Sequence, residues 1–135
     1  MITITELLSQ RLNQALTEIG QDNIPAGFTG SVTAAADTRF GDYQTNAAMV
    51  LAKKLGMPPK DLASKIIEII DVQNISEIPE IAGPGFINFK ILNSTIHLRI
   101  SDILLCDRLG VERVNEPEKI LIDFSSPNIA KPMHI

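Results

Sequence analysis

The sequence predicts an α+β fold, a small mixed or antiparallel sheet packed by about four helices, and three observations carry the expectation. Apolar residues recur at helical spacing in four separate segments. The period shortens to alternation only in brief stretches, two of which flank Gly83-Pro84-Gly85. The helices fall between non-equivalent strands, which argues against a doubly wound sheet. With 44% apolar and 21% charged residues the chain can bury a core, and with few aromatics that core must be mainly Ile, Leu, Val and Ala.

Residues 4–20 read as the first helix, with Leu8, Leu12, Ala15, Leu16 and Ile19 on one face, Thr5 as N-cap and Gly20 as its stop. "SVTAAAD" (31–37) reads as a strand. "TRFGDYQTN" then crosses to a second helix, capped by Asp42 and running from Tyr43 to Leu55, where Gly56 ends it. Pro58 and Pro59 suit the entry of a third helix, because proline in the first turn sacrifices no helical hydrogen bond. Its expected buried face is Leu62, Ile66, Ile69 and Ile70. "ISEIPEIAGPGFINFKI" supplies two short strands around the glycine–proline turn.

A helix from Ser94 to Leu109 follows, with Ile96, Ile100, Ile103 and Leu104 expected inward and Gly110 at its end. "VERVNEPE" (111–118) is a charged linker and "KILIDF" (119–124) a further strand. The expected division is therefore one domain over 1–110, a linker over 111–118, and the start of something else over 119–135.

Composition narrows the function classes. No apolar run reaches the length of a membrane span, and the first residues lack a basic segment and cleavage site. Cys106 is the single cysteine, which excludes an internal disulfide and fits a reducing compartment; the expected location is cytoplasmic. No Cys/His cluster suggests a metal. The net charge of −4 argues against gripping nucleic acid through a broad basic face. It leaves room for a module that reads one or two unstacked bases locally.

The segment "ILIDFSSPNIAKPMHI" carries its own chemistry. A near-continuous apolar strand is typical of a parallel sheet, in which ligands bind beyond the carboxyl ends of the strands. Asp123 sits at that end, followed by Ser125, Ser126 and Asn128 around Pro127, then Lys131 and His134. Together they suit a ligand with a cationic end, an amino-acid-like end and a phosphate. Singly, each has a plainer reading: a turn aspartate, a Ser-Pro-Asn turn, a solvated histidine.

This segment resembles the first strand and signature loop of class I aminoacyl-tRNA synthetases, where the strand precedes a His-x-Gly-His motif. His134 and Ile135 would be its first two residues. "FSSPNIAKPMH" is similar to the arginyl-tRNA synthetases in particular. "FGDYQTNAAMVLAKKLGMPPKDLASKI" and "IAGPGFINF" resemble the additional domain preceding the catalytic domain in that family. The resemblance implies a fragment of an arginine–tRNA ligase: a tRNA-elbow-binding domain and the first strand of a catalytic Rossmann domain, inactive alone. The parent would use ATP with Mg, arginine and tRNA-Arg.

Carried over residue by residue, Asp123 would pair with the arginine guanidinium, while Ser125 and Asn128 would orient its amino and carboxylate ends. His134, and Lys131 beside it, would face the ATP phosphates. Phe86 would stack on an exposed D-loop base whose edge Asn88 reads. On the residues alone, a buried Phe86 and an outward Asn88 on an edge strand is the plainer account. Gly83 and Gly85 are expected to be structural; "FGDYQTN" is given no direct chemistry, with Asp42 as cap and Tyr43 packed on the sheet. Asn46, and Lys53, Lys54, Lys60 and Lys65, are further groups that could reach RNA.

The alternative is a free-standing RNA- or protein-interaction module. A stand-alone module should not keep an unpaired apolar strand, which is an aggregation hazard. Residues 111–135 are therefore expected to be loosely held, with 119–124 a route to oligomers.

Overall fold

A computed structural model of the chain describes residues 2–20, 24–25 and 27–123. Helix α1 spans Ile4–Gly20 and buries Leu8, Leu12, Ala15 and Leu16. It starts on a reciprocal cap: the Glu6 N–H donates to Thr3 Oγ1 at 3.2 Å, and the Glu6 carboxylate accepts from the Thr3 N–H at 2.7 Å. The cap is thus Thr3, not the expected Thr5. Capping needs an oxygen just outside the first turn, and Thr5 already lies inside it.

Strand β1 is only Thr33–Ala34 of the expected 31–37. Its approach is held by side chains of α1. The Asn13 carboxamide accepts from the Gly30 N–H at 2.7 Å and donates to the Gly30 carbonyl at 2.8 Å, standing in for a neighbouring strand.

The largest departure follows. Tyr43–Thr45 is a strand, β2, and helix α2 begins only at Ala47, ending at Leu55. Gly56 closes α2 with φ 64°, as expected. Asp42 caps no helix. Its carboxylate accepts from the Ile91 N–H at 2.8 Å, and its own N–H donates to the Phe89 carbonyl at 2.8 Å, tying β2 to the end of another strand. The start of α2 is served by Thr45, whose Oγ1 accepts from the Ala47 N–H at 3.2 Å.

Helix α3, Pro59–Ile69, has its proline in the first turn and buries Leu62, Ala63 and Ile66. Ile70 is buried just past its end, whereas Ile69, expected inward, is exposed. Strands β3 (Glu80–Ala82) and β4 (Phe86–Phe89) form the expected hairpin. Gly85 has φ 141°, and a Cβ there would lie 3.0 Å from the Cβ of Pro59, so the turn seats on the start of α3 without room for a side chain.

The sheet order is β1-β2-β4-β3, antiparallel throughout. The core face carries Thr45, Ile87 and Phe89, which α1–α3 help to bury with Leu8, Leu12, Leu51, Leu62 and Ile66. The core is aliphatic except for Phe89, as composition requires. A buried leucine, isoleucine or phenylalanine of this kind contributes about 1.5–3 kcal/mol by leaving water.

Helix α4 spans Asn93–Leu105, stopping short of Leu109. Thr95 pins its first turn, donating to the Asn74 carbonyl at 2.8 Å. Ile96, Ile100 and Leu104, expected inward, are exposed, and Ile103 is only half-buried. The core is already closed by α1–α3, and nothing among the described residues covers this face of α4. Residues 119–123 form no strand and are exposed. A strand needs a neighbour to bond with, and this stretch has none among the described residues. Phe124 lies outside them.

Candidate nucleic-acid interface

The sheet is covered on one side only. Residues paired across it share a face, so the register places Thr33, Gln44, Asn88 and Glu80 in one row on the open side. Phe86, two residues before Asn88 on β4, is on the same side next to Ala82. Ile87 and Phe89 point the other way, into the core. Four consecutive residues therefore divide cleanly: two make the core and two make the outer surface.

The outer pair has an unusual setting. Phe86 is half-buried, and Asn88 is only 6% exposed. The Asn88 carboxamide has no hydrogen-bond partner among the described residues, and because no buried side-chain nitrogen or oxygen there is left unpaired, its polar atoms reach the surface. It borders a hollow of about 260 Å³ shared with Phe40, Asp42, Ile78, Glu80 and Lys90. A second hollow of about 160 Å³ is bordered by Phe86, Gln44, Asn46, Thr33 and Ser31. Neither Gln44 nor Asn46 spends its carboxamide on a neighbour among the described residues. The face thus combines an aromatic ring with unpaired donors and acceptors, the elements that stack on and read an unstacked base.

The electrostatics are balanced. Arg39 grips Asp37, with Nη2 at 2.6 Å and Nε at 3.0 Å, and this hold keeps the Asp37 carboxyl below its ordinary range. The same guanidinium lies 5.9 Å from the centre of the Phe40 ring. Lys90 faces Glu77 at 3.7 Å. Lys53, Lys54, Lys60 and Lys65 are exposed on α2 and α3, in the helical layer behind the sheet rather than in the row.

The residues expected for the arginine and ATP ends fare differently. Asp123 is exposed in irregular chain and makes no hydrogen bond or ion pair among the described residues. Ser125, Asn128, Lys131 and His134 lie outside the described residues. Of the expected site residues, the described structure brings Phe86 and Asn88 to one side of β4. Among the described residues no three His, Cys, Asp or Glu side chains converge as metal ligands, and no helix is long and apolar enough to cross a membrane.

Sequence reasoning missed Gln44 and Phe40 as members of this face. Their signal was the distinctive "FGDYQTN" block, whose Tyr43-Gln44-Thr45 alternates as a strand does.

Comparison with known proteins adds a family to this geometry. Residues 4–91 match the arginyl tRNA synthetase N terminal domain, and residues 99–135 match the class I tRNA synthetase (R) catalytic domain. The arginine–tRNA ligase of Rhodopirellula baltica is 42% identical over 132 residues, covering 98% of this chain and 19% of its own length. That of Nostoc punctiforme is 46% identical over 131 residues, covering 96% and 22%. The chain thus spans about a fifth of the length of these curated relatives. Among solved structures, Thermus thermophilus arginyl-tRNA synthetase superposes with TM-score 0.60 at 22% identity over 78% of this chain and 16% of that one. The Plasmodium falciparum arginyl-tRNA synthetase gives 0.58 at 22% identity, over 76% and 18%. At that identity the likeness concerns the fold. With an α+β body, an open antiparallel sheet and the family match over most of that body, this chain belongs to the arginyl-tRNA synthetase family.

Proposed function

We propose that this chain is the tRNA-elbow-binding part of an arginine–tRNA ligase and that its open sheet face holds a D-loop base. One observation carries the reading: Asn88, nearly buried, keeps an unpaired carboxamide beside Phe86 on an uncovered sheet. Most of the residue is covered while its unpaired polar atoms still reach the surface, where a base edge could meet them. Phe86 supplies the stacking surface and Asn88 reads the base edge. Binding by this chain alone is weak and salt-sensitive.

The remaining assignments extend this reading. Residues 1–110 form the tRNA-binding domain, 111–118 a linker, and 119–135 the start of a catalytic Rossmann domain. There Asp123 meets the arginine guanidinium as a bidentate acceptor, and Ser125 and Asn128 orient its other end. His134 and Lys131 oppose charge developing on ATP. ATP, bound with Mg, activates the arginine carboxylate in the whole enzyme. The described residues offer no cradle for it, and no step through it is derived from them. The enzyme works in the cytoplasm on tRNA-Arg.

The test is tRNA binding at matched salt. Phe86→Ala costs about 1–3 kcal/mol, the value of one stacked base, and Asn88→Ala weakens binding further. Unchanged affinity for both variants, with folding intact, would remove this face from the interface.

A further inference from the structure

We infer that the sheet face holds two unstacked nucleotides rather than one, with Phe40 as the second stacking platform. This rests on the reading of the face as an RNA site. The composition makes one ring stand out. The chain has only five phenylalanines and one tyrosine, and Phe89 fills the core, yet Phe40 is left 58% exposed. Exposure of a single apolar side chain is ordinary. An exposed ring held in place beside a polar hollow is a different matter.

Three features fix Phe40. Its neighbour Arg39 is clamped on Asp37 through Nε and Nη2, and the guanidinium lies near the ring at 5.9 Å. The Phe40 N–H donates to the Asp37 carbonyl at 3.1 Å, closing the turn. On its other side Gly41 has φ 138° and sits so close to β4 that a Cβ would be 2.8 Å from the Phe89 carbonyl oxygen. The ring is thereby presented at a set position beside the sheet, and a preorganised platform loses little freedom when a base stacks on it.

The hollow next to it has the chemistry of a nucleotide. Asn88 offers an unpaired amide, and Glu80 and the second oxygen of Asp42 offer acceptors for a base amino group or a ribose hydroxyl. Lys90, which faces Glu77 at 3.7 Å across the same hollow, is a cation a phosphate would have to share. The second hollow, with Phe86, Gln44 and Asn46, repeats the pairing of an aromatic ring with free carboxamides. Gln44 and Asn88 are cross-strand partners, so the two hollows adjoin across one amide pair, and each is bordered by a ring. Two neighbouring bases turned out of a loop fit this plan: one stacked on Phe86, the next on Phe40.

The test uses the full chain and an unmodified transcript of an arginine-accepting tRNA carrying an abasic nucleotide at each D-loop position in turn. Affinity is followed by fluorescence anisotropy at constant salt. The native chain should lose affinity at two positions. Phe86→Ala should abolish the penalty at one, and Phe40→Ala at the other, each weakening the intact transcript about fivefold or more. Phe40→Trp should preserve binding, and circular dichroism should show Phe40→Ala folded. If Phe86→Ala weakens binding and Phe40→Ala does not, the inference fails while the single-base reading stands. If both erase the penalty at the same nucleotide, the face is a one-base clamp and the inference fails. If Phe40→Ala, Phe86→Ala and Asn88→Ala all bind normally, the RNA reading falls and takes the second platform with it.

Discussion

The body up to Ile91 and the stretch from α4 onward are built from the same aliphatic residues and treat them in opposite ways. In the body Leu12, Leu51, Leu62, Ile66 and Ile87 are sealed between helices and sheet. In α4 and beyond, Leu98, Leu104, Leu105 and then Ile120, Leu121 and Ile122 are exposed, Leu105 at 85%. Apolar spacing encodes a face; only a partner turns that face into a core. Helix α4 is anchored chiefly by its first turn and by Arg99, which donates to the Ile2 carbonyl.

The sharpest way to break this comparison is to truncate one residue from each side. Phe89→Ala, at full burial, should destabilise the chain by about 3–5 kcal/mol in a urea titration. Leu104→Ala should stay within about 0.5 kcal/mol, as exposed substitutions do. Equal costs would mean that α4 is packed in solution.

A smaller effect probes the polar stitching of the body. Asp42→Ala leaves the Ile91 N–H without its acceptor and should cost about 1–3 kcal/mol, whereas Asp102→Ala on α4 should cost almost nothing. Thermal unfolding of the two variants side by side would decide it. A neutral Asp42→Ala would show that water replaces the carboxylate.

The smallest effect concerns pH. The Thr3 backbone N–H, and then its hydroxyl, hold the Glu6 carboxyl below its ordinary value of 4.5. Because the folded value is the lower one, the cap's contribution is complete above the unfolded value and is lost as pH falls through the folded one. Glu6→Gln should flatten that acid limb of the stability curve. An unchanged limb would remove Glu6 as its source.

How far the fold was legible follows from where each decision is made. Helix α3 carried its own marks, with Pro59 at its start and Leu62 and Ile66 one turn apart, and it formed as expected. Strand β2 did not. Three residues cannot display a period, and Tyr43 also continues the helical spacing of the run behind it. Its state is set by β1 and β4, far away in the chain. The same limit governs the candidate site. Alternation along "FINF" is local and put Phe86 and Asn88 on one side. The exposure of Phe40 depends on where the turn before β2 is pinned, by the Asp42 N–H on the Phe89 carbonyl and by the Asp42 carboxylate on the Ile91 N–H. No spacing rule sees that.

Strand β4 turns one set of alternate residues to the core and the other to the opposite side of the sheet, which constrains how such a domain can diverge. A one-residue slip of β4 against β2 and β3 would turn Ile87 and Phe89 to water and drive Phe86 and Asn88 inward, removing the buried set from the core. Point replacement at 86 or 88 leaves the buried set untouched. Hairpin register is therefore the more constrained property, and the identity of the outer residues the freer one.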